Sequence, residues 1–254
     1  MPAHDGPPIP CGPFILEALC PDARSRLMAD SAVRLYAPGN VLFLAGDEAR
    51  SLLLMEDGLV KLTARHREGR EAILALATPG DLIGLAATVS ATRHQFDAIA
   101  LSDSRISVLD PGRFFDALGG QPTAARRCLN ALALETHRAT AWALEATTVD
   151  ATGRVAGRLL DLARMLGVRR AGTIELRLPL NQEDLGRMAA TSREKTCRTL
   201  AALRAAGILD YRGDRVRIQR PDALERLRRG GRVAVPSRSA SEAGSRRSRS
   251  TWGT

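Results

Sequence analysis

The chain is 254 residues long with a formal charge of +9 at pH 7, a length that suits two small domains and a charge that suits a polyanionic partner. The excess is uneven: Arg228 to Thr254 holds seven Arg and one Glu, and Leu180 to Arg220 nine basic and five acidic residues, so the remainder is close to neutral. Cys11, Cys20, Cys128 and Cys197 form no C-x-x-C pair, which argues against a zinc ribbon and a disulfide framework. No apolar run approaches the roughly 18 residues of a membrane helix, and MPAHDGPPIPCGP lacks the regions of a signal peptide, so a cytoplasmic protein is expected.

Residues 1–13 are Pro/Gly-rich and expected to be disordered. Phe14 to Ala29 reads as a short helical lead-in. From Val33 to Leu109 the pattern turns to short apolar segments: Val41-Leu42-Phe43-Leu44, Leu52-Leu53-Leu54-Met55, Val60-Lys61-Leu62 and Ala72-Ile73-Leu74-Ala75-Leu76. Gly39, Gly46, Gly58, Gly69 and Gly80 fall between them. Strands this short predict a small antiparallel barrel or jelly roll over residues 14–120. Ile99 to Leu109 is expected to be its closing strand and Arg113 to Leu118 a short helix. Over 121–148 a long helix is expected, with Leu129, Leu132, Thr136, Ala139, Ala143 and Ala146 at the three-and-four spacing of a coiled-coil seam. By pattern alone this face serves equally well as a dimer interface or as packing inside one subunit.

Residues 149–228 make a second domain. A helix begins near Val149-Asp150, Gly167 to Gly172 reads as a loop, and Ile174 to Leu178 as a strand. The segment Leu180 to Leu209 carries two short helices. Asn181 caps the first, with Asp184 in its first turn and Leu185, Met188 and Ala189 on its apolar side. After a tight connection at Ala190-Thr191, Ser192 caps the second. Its predicted buried face is Thr196, Thr199, Leu200 and Leu203, and its outer face Arg193, Glu194, Cys197 and Arg198. An Arg fork matches guanine and a Glu can accept from a cytosine amino group, so this layout suits a helix entering the DNA major groove. A surface helix with solvated charges is the plain alternative. Beyond it, Ile208 to Tyr211 and Val216 to Ile218 flank Arg212-Gly213-Asp214, a hairpin that predicts a wing. Arg212 and Arg215 there are either phosphate contacts or a solvated tip. Residues 229–254 are Ser/Arg/Gly/Ala-rich and expected to be disordered. The tail either adds sequence-independent DNA affinity or is inert. The fold class is therefore α+β.

Three strings carry a family resemblance. L-x-x-E-D-L-G-x-x-x-x-x-S-R-E-x-x-x-R-x-L from Leu180 resembles the helix-turn-helix of the Crp/Fnr superfamily of bacterial transcription regulators. D-x-T-G-R-x-A-x-x-L-L-x-L-A from Asp150 resembles its hinge and first DNA-domain helix. The order P-G-N-V-L-F-L-A-G-D, E-D-G-L-V-K-L, P-G-D-L-I-G resembles its cyclic-nucleotide-binding β-roll. The resemblance implies an N-terminal β-roll, a dimerisation helix and a C-terminal winged helix-turn-helix. It also implies a homodimer on a two-fold symmetric double-stranded DNA site, with Ser192, Arg193, Glu194, Lys195, Arg198, Arg212 and Arg215 at the DNA and RNA polymerase as a further partner. Ala190 departs from the family's turn Gly, and Ala is expected to stay in the helical region there.

The resemblance also shows what the effector pocket lacks. Cyclic-nucleotide-binding members place Glu after the Gly matched by Gly84, and Arg-Ser some ten residues on. Here Leu85 replaces the Glu and His94-Gln95 the Arg-Ser, with Arg93 one residue away and Ala139-Thr140 at the adenine-contacting hydroxyl pair. Unpaired polar ligand atoms would cost about 1–3 kcal/mol each, so control by a cyclic nucleotide is not expected. An iron–sulfur cluster needs four thiolates, three of them near the N-terminus in this family, where Cys11 and Cys20 supply two. Haem-binding members need Cys or His near Gly84. His66 and His94 are expected to be solvated or pocket-lining, and no cofactor or metal is expected. No catalytic constellation is present, so an enzyme is not expected. A cyclic-nucleotide-dependent switch and a redox-responsive or constitutive DNA binder remain the competing readings. Cys197, four residues after Arg193, would share its face, where nearby cations favour a thiolate; a small residue at a close backbone approach is the alternative.

Overall fold

The computed structural model describes residues 13–65 and 69–231. Residues 1–12 and 232–254, which hold nearly all of the two segments expected to be disordered, and His66 lie outside the described residues. The chain forms two compact units, divided between Thr147 and Thr148. No helix among the described residues is long and apolar enough to cross a membrane.

The helical lead-in is two helices, α1 (Pro13–Glu17) and α2 (Pro21–Ala29), because Cys20 is extended ahead of Pro21. Eight strands follow: β1 (Ala32–Tyr36), β2 (Val41–Phe43), β3 (Leu52–Asp57), β4 (Val60–Arg65), β5 (Glu71–Ala77), β6 (Leu82–Ile83), β7 (Asp97–Ala100) and β8 (Ser104–Leu109). They make two four-stranded antiparallel sheets, ordered β1-β8-β3-β6 and β2-β7-β4-β5. Phe43, Leu53, Met55, Val60, Ile83, Ala98 and Ile106 fill the space between them. A second core packs α1, α2, α4 (Pro111–Leu118) and the start of α5 (Pro122–Thr148) with Leu52, Leu54, Leu82 and Leu109 from the sheet.

The closing strand expected over Ile99 to Leu109 is two strands in different sheets. The chain crosses over at Leu101 to Asp103, where the Leu101 N–H donates to the Leu59 carbonyl at 2.7 Å. Gly58 permits the crossing: a Cβ there would lie 2.3 Å from Ser104 Oγ and 2.5 Å from the Asp103 carbonyl oxygen.

In the second unit α6 (Ala151–Leu166) is its central helix, buried along Val155, Ala156, Leu159, Leu160, Leu162 and Ala163. Asp150 caps it, accepting from the Gly153 N–H at 2.7 Å. The stretch expected to be a loop over Gly167 to Gly172 contains a strand, β9 (Val168–Arg170), paired with β10 (Thr173–Arg177). Their turn places Ala171 and Gly172 at φ 45° and 80°, the two positive values a tight hairpin turn requires. The unit continues through α7 (Gln182–Met188), α8 (Arg193–Ala205), the wing strands β11 (Leu209–Arg212) and β12 (Arg215–Ile218), and α9 (Pro221–Arg228). The sheet order is β11-β12-β10-β9. Arg229, Gly230 and Gly231, assigned from sequence to the disordered tail, close α9 with backbone bonds to Glu225, Leu227 and Arg226.

Candidate nucleic-acid interface

Helix α7 starts on a full capping box: Asn181 accepts from the Asp184 N–H while Asp184 accepts from the Asn181 N–H. Ser192 caps α8 by accepting from the Lys195 N–H at 3.2 Å. The predicted inner face of α8 is the observed one, with Thr196, Thr199, Leu200 and Leu203 all buried. Gly186 lets the helices meet, since a Cβ there would lie 2.9 Å from Thr196 Oγ1 and 3.0 Å from the Thr191 carbonyl. Ser192, Arg193, Glu194, Lys195 and Arg198 are all exposed. Glu194 pairs with Arg198 at 3.5 Å, both side chains more than 70% exposed, a contact weak enough for a ligand to displace.

Two expectations for this motif are corrected. Ala190 does not stay in the helical region; its φ is +48°, the left-handed conformation a turn Gly would adopt. Cys197 does not share the outer face. It is half-buried and donates to Gln182 Oε1 of α7 at 2.5 Å, because four residues along a helix advance the direction by about 40°, enough to turn it toward the neighbouring helix.

The wing tip joins β11 to β12 through Gly213 and Asp214, and Arg212 and Arg215 beside it are exposed. Register shows a residue the sequence reading missed. Arg215 lies directly between Arg212 on β11 and Arg177 on β10, so three arginines share one rung and one face. Among the described residues the acidic group Arg177 approaches is Asp214, at 3.8 Å. Two residues along the same face the rung is Asp210, Arg217 and Glu175. Its charges are all paired: Arg217 with Glu175 at 2.7 Å and Asp210 with Arg204 of α8 at 2.8 Å.

The N-terminal unit looks different at the positions aligned with the effector cassette. Gly84, at φ +91°, precedes α3 (Leu85–Val89). Leu85 is 2% exposed and belongs to the helix-side core with Leu52, Leu54 and Phe114. Arg93 faces solvent, donating to the Gly46 carbonyl at 2.8 Å and approaching Glu48 at 3.3 Å. Gln95 is exposed. His94 is not solvated: it is 6% exposed and stacked on Phe43 with ring centroids 3.6 Å apart. Among the described residues its Nδ1 has no hydrogen-bond partner. Burial pushes its pKa down from the ordinary value, opposed by the nearby Asp47 carboxylate. Thr140 donates to the Thr136 carbonyl of its own helix at 2.9 Å, and Ala139 beside it is exposed.

On α5 the inward residues are Ala124, Cys128 and Ala131. Of the seam residues, Leu132 is partly buried against this core, whereas Leu129 is 68% exposed and Thr136, Ala139, Ala143 and Ala146 are exposed. Among the described residues no cluster of His, Cys, Asp and Glu could hold a metal ion.

Comparison with known proteins finds a family match in each of the two units. Residues 33–120 match the cyclic nucleotide-binding domain model and residues 153–227 the Crp-like helix-turn-helix domain model. The chain is similar to the CRP-like cAMP-activated global transcriptional regulator of Mycobacterium tuberculosis, 25% identical over 76% of this chain and 87% of that protein. It is also similar to the fumarate and nitrate reduction regulatory protein of Escherichia coli, 27% identical over 74% of this chain and 75% of that one. Among solved structures, FixK2 from Bradyrhizobium japonicum superposes with a TM-score of 0.70 at 25% identity, covering 78% of this chain and 96% of that chain. The chain belongs to the Crp/Fnr superfamily: it is a Crp/Fnr-type transcription regulator with a helix-turn-helix DNA-binding domain.

Proposed function

We propose that the protein acts as a homodimer on a two-fold symmetric operator, reads bases through Arg193, Glu194 and Arg198 of α8, and has lost cyclic-nucleotide control. The observation that carries the reading is the division of α8 into a buried Thr196/Thr199/Leu200/Leu203 face and an exposed charged one. Ser192 and Lys195 at the helix start, with Arg212 and Arg215 on the wing, are suited to phosphates, which fix register without reading sequence. The dimer reading is supported by the exposed seam of α5, where Leu129 leads a run of small residues that allow close approach of a second helix. As a regulator of this type it would work in the cytoplasm and act on RNA polymerase.

The buried Leu85 and the stacked His94 support the loss of the nucleotide cassette. A cyclic phosphate in a shielded pocket needs a positioned cation and donors in place of its water, and Leu85 cannot accept a ribose hydroxyl. No cofactor is required by this reading.

Selection of binding sites from random duplexes tests the DNA half. The expected result is a palindrome whose half-sites are centred about one helical turn apart, bound by a chain that sediments as a dimer; an asymmetric consensus or a monomer would refute it. Calorimetric titration with cyclic AMP and cyclic GMP tests the sensor half, and the expected result is no binding below millimolar concentration. The Mycobacterium tuberculosis relative is described as cAMP-activated, so the competing reading is a cyclic-nucleotide switch. Micromolar binding that raises operator affinity would establish it instead.

A further inference from the structure

Arg154, the fourth residue of α6, directs its guanidinium at three backbone carbonyls. Nε donates to Ala189 at 2.8 Å, Nη1 to Val149 at 2.6 Å and Nη2 to Ala190 at 3.0 Å. Two of these oxygens belong to the turn between α7 and α8, and the third to the residue before the α6 cap. Among the described residues Arg154 has no ion-pair partner, so its charge is directed at backbone oxygens.

That turn has a specific difficulty. Ala189 ends α7, and Ala190 takes a φ of +48°, where Cβ crowds the following carbonyl and any residue but glycine is strained. The carbonyls at the end of a helix also carry partial negative charge and lack intrahelical donors. A guanidinium is a planar fork of five donors that cannot be deprotonated, so it can hold two successive turn carbonyls at once. The Thr191 N–H then reaches back to the Gly186 carbonyl at 2.9 Å, and Ser192 caps α8 two residues after Ala190.

We infer that Arg154 is a positioning residue for DNA recognition: it clamps the α7–α8 turn in its left-handed conformation and so fixes the direction in which α8 presents Arg193, Glu194 and Arg198. The inference rests on α8 being the base-reading helix. It makes Arg154 act through the turn and never on DNA directly. Lysine cannot replace it, because a single ammonium on a flexible stem does not span the three carbonyls.

The test measures binding of the full chain to its selected operator and to a scrambled duplex across a salt series. Arg154→Ala is expected to lower operator affinity tenfold or more and to reduce the operator-to-scrambled ratio. The slope of log affinity against log salt should stay that of the parent chain, because no phosphate contact is removed. Arg154→Lys should recover little. Ala190→Gly, harmless by itself, should restore most of the loss when combined with Arg154→Ala, since glycine adopts the turn without a clamp. An unchanged ratio, a slope reduced by about one phosphate, or no recovery in the double variant would each overturn the inference. Hydrogen exchange at the Thr191 amide reads the clamp independently of DNA, and protection should fall in Arg154→Ala. If Arg193→Ala leaves discrimination intact while Thr191 protection still depends on Arg154, the base-reading assignment fails and the clamp stands.

Discussion

The outer face of α8 and the neighbourhood of Gly84 are the two places where a regulator of this family would meet a ligand, and they are built in opposite ways. On the outer face of α8 the polar groups are exposed, and the Glu194–Arg198 pair there has both side chains largely in solvent. Around Gly84 two of the corresponding positions, Leu85 and His94, are closed. Leu85 lies in an apolar core, His94 is stacked against Phe43, and the Arg93 guanidinium faces outward to Gly46 and Glu48. A face awaiting a charged partner keeps its charges hydrated and mobile, because desolvating them in advance would cost free energy with nothing to offset it. A face that no longer takes such a partner can fill the space with side chains. The difference supports the proposal that ligand chemistry lies in the second unit.

Restoring the family glutamate is the sharpest way to break this comparison. Leu85→Glu would place a carboxylate among Leu52, Leu54, Leu82 and Phe114 with no partner, and should destabilise the chain by about 3 kcal/mol or more. Urea unfolding of the variant measures it. If it folds with parental stability, position 85 is still a pocket position and the closed description is wrong.

On the other face, Arg193→Ala and Arg198→Ala should each weaken operator binding by about 1–3 kcal/mol and relax base preference at one position per half-site. Stability should barely change, because both side chains are solvated. Competition among operators altered one base pair at a time checks this. Full discrimination by both variants would remove α8 from the groove.

A smaller effect is expected of His94. Its native pKa is lowered by burial, with Asp47 opposing, whereas in the unfolded chain it titrates near 6.5. The unfolded state therefore binds more protons at mildly acid pH. Stability is complete above the ordinary histidine value and declines as pH falls from there toward the lowered native pKa. Unfolding midpoints between pH 7.5 and 5.5 should drop in the parent chain, and drop less in His94→Phe. Equal slopes would mean that His94 is already charged or solvated in the fold.

Most of the second unit was readable from sequence because its signals are local. Asn181, Asp184 and Ser192 cap helices within a single turn, and the inner face of α8 follows the helical period. One failure is local: four polar residues, Ser102-Asp103-Ser104-Arg105, interrupt the apolar pattern between Ile99 and Leu109, a turn signal that a single closing strand overlooks, and the close approach at Gly58 lies where the chain changes sheet. The other failures are where the deciding contact is distant or the residue type is unusual. Strand β9 was missed because Ala171-Gly172 is not an Asn-Gly or Asp-Gly turn. Ala190 was misassigned for a related reason: its conformation is sustained by Arg154, thirty-odd residues earlier, in a motif whose backbone role no spacing rule announces. His94 could be aligned to the phosphate position by sequence, but its stack on Phe43 required the fold.

The smallest predicted effect concerns the wing and sharpens the description of the second unit as the one prepared for an anion. Like charges directly opposite one another in a sheet are destabilising, yet Arg212, Arg215 and Arg177 occupy one rung while the next rung on that face is balanced by Asp210 and Glu175. Duplex phosphates would relieve the first rung and offer little to the second. Arg177→Ala should therefore reduce the salt dependence of operator binding, by up to about 0.9 in the log–log slope if it meets one phosphate, with base preference unchanged because phosphates carry no sequence information. Arg217→Ala, two residues from Arg215 on the same strand and face, is the matched control: its guanidinium is already held by Glu175 at 2.7 Å, and its slope should equal that of the parent. In the absence of DNA the order reverses, with Arg177→Ala slightly stabilising by relief of repulsion and Arg217→Ala slightly destabilising by leaving Glu175 alone. Identical slopes for the two variants would mean that the wing's arginines are solvated ornament and that α8 alone holds the DNA.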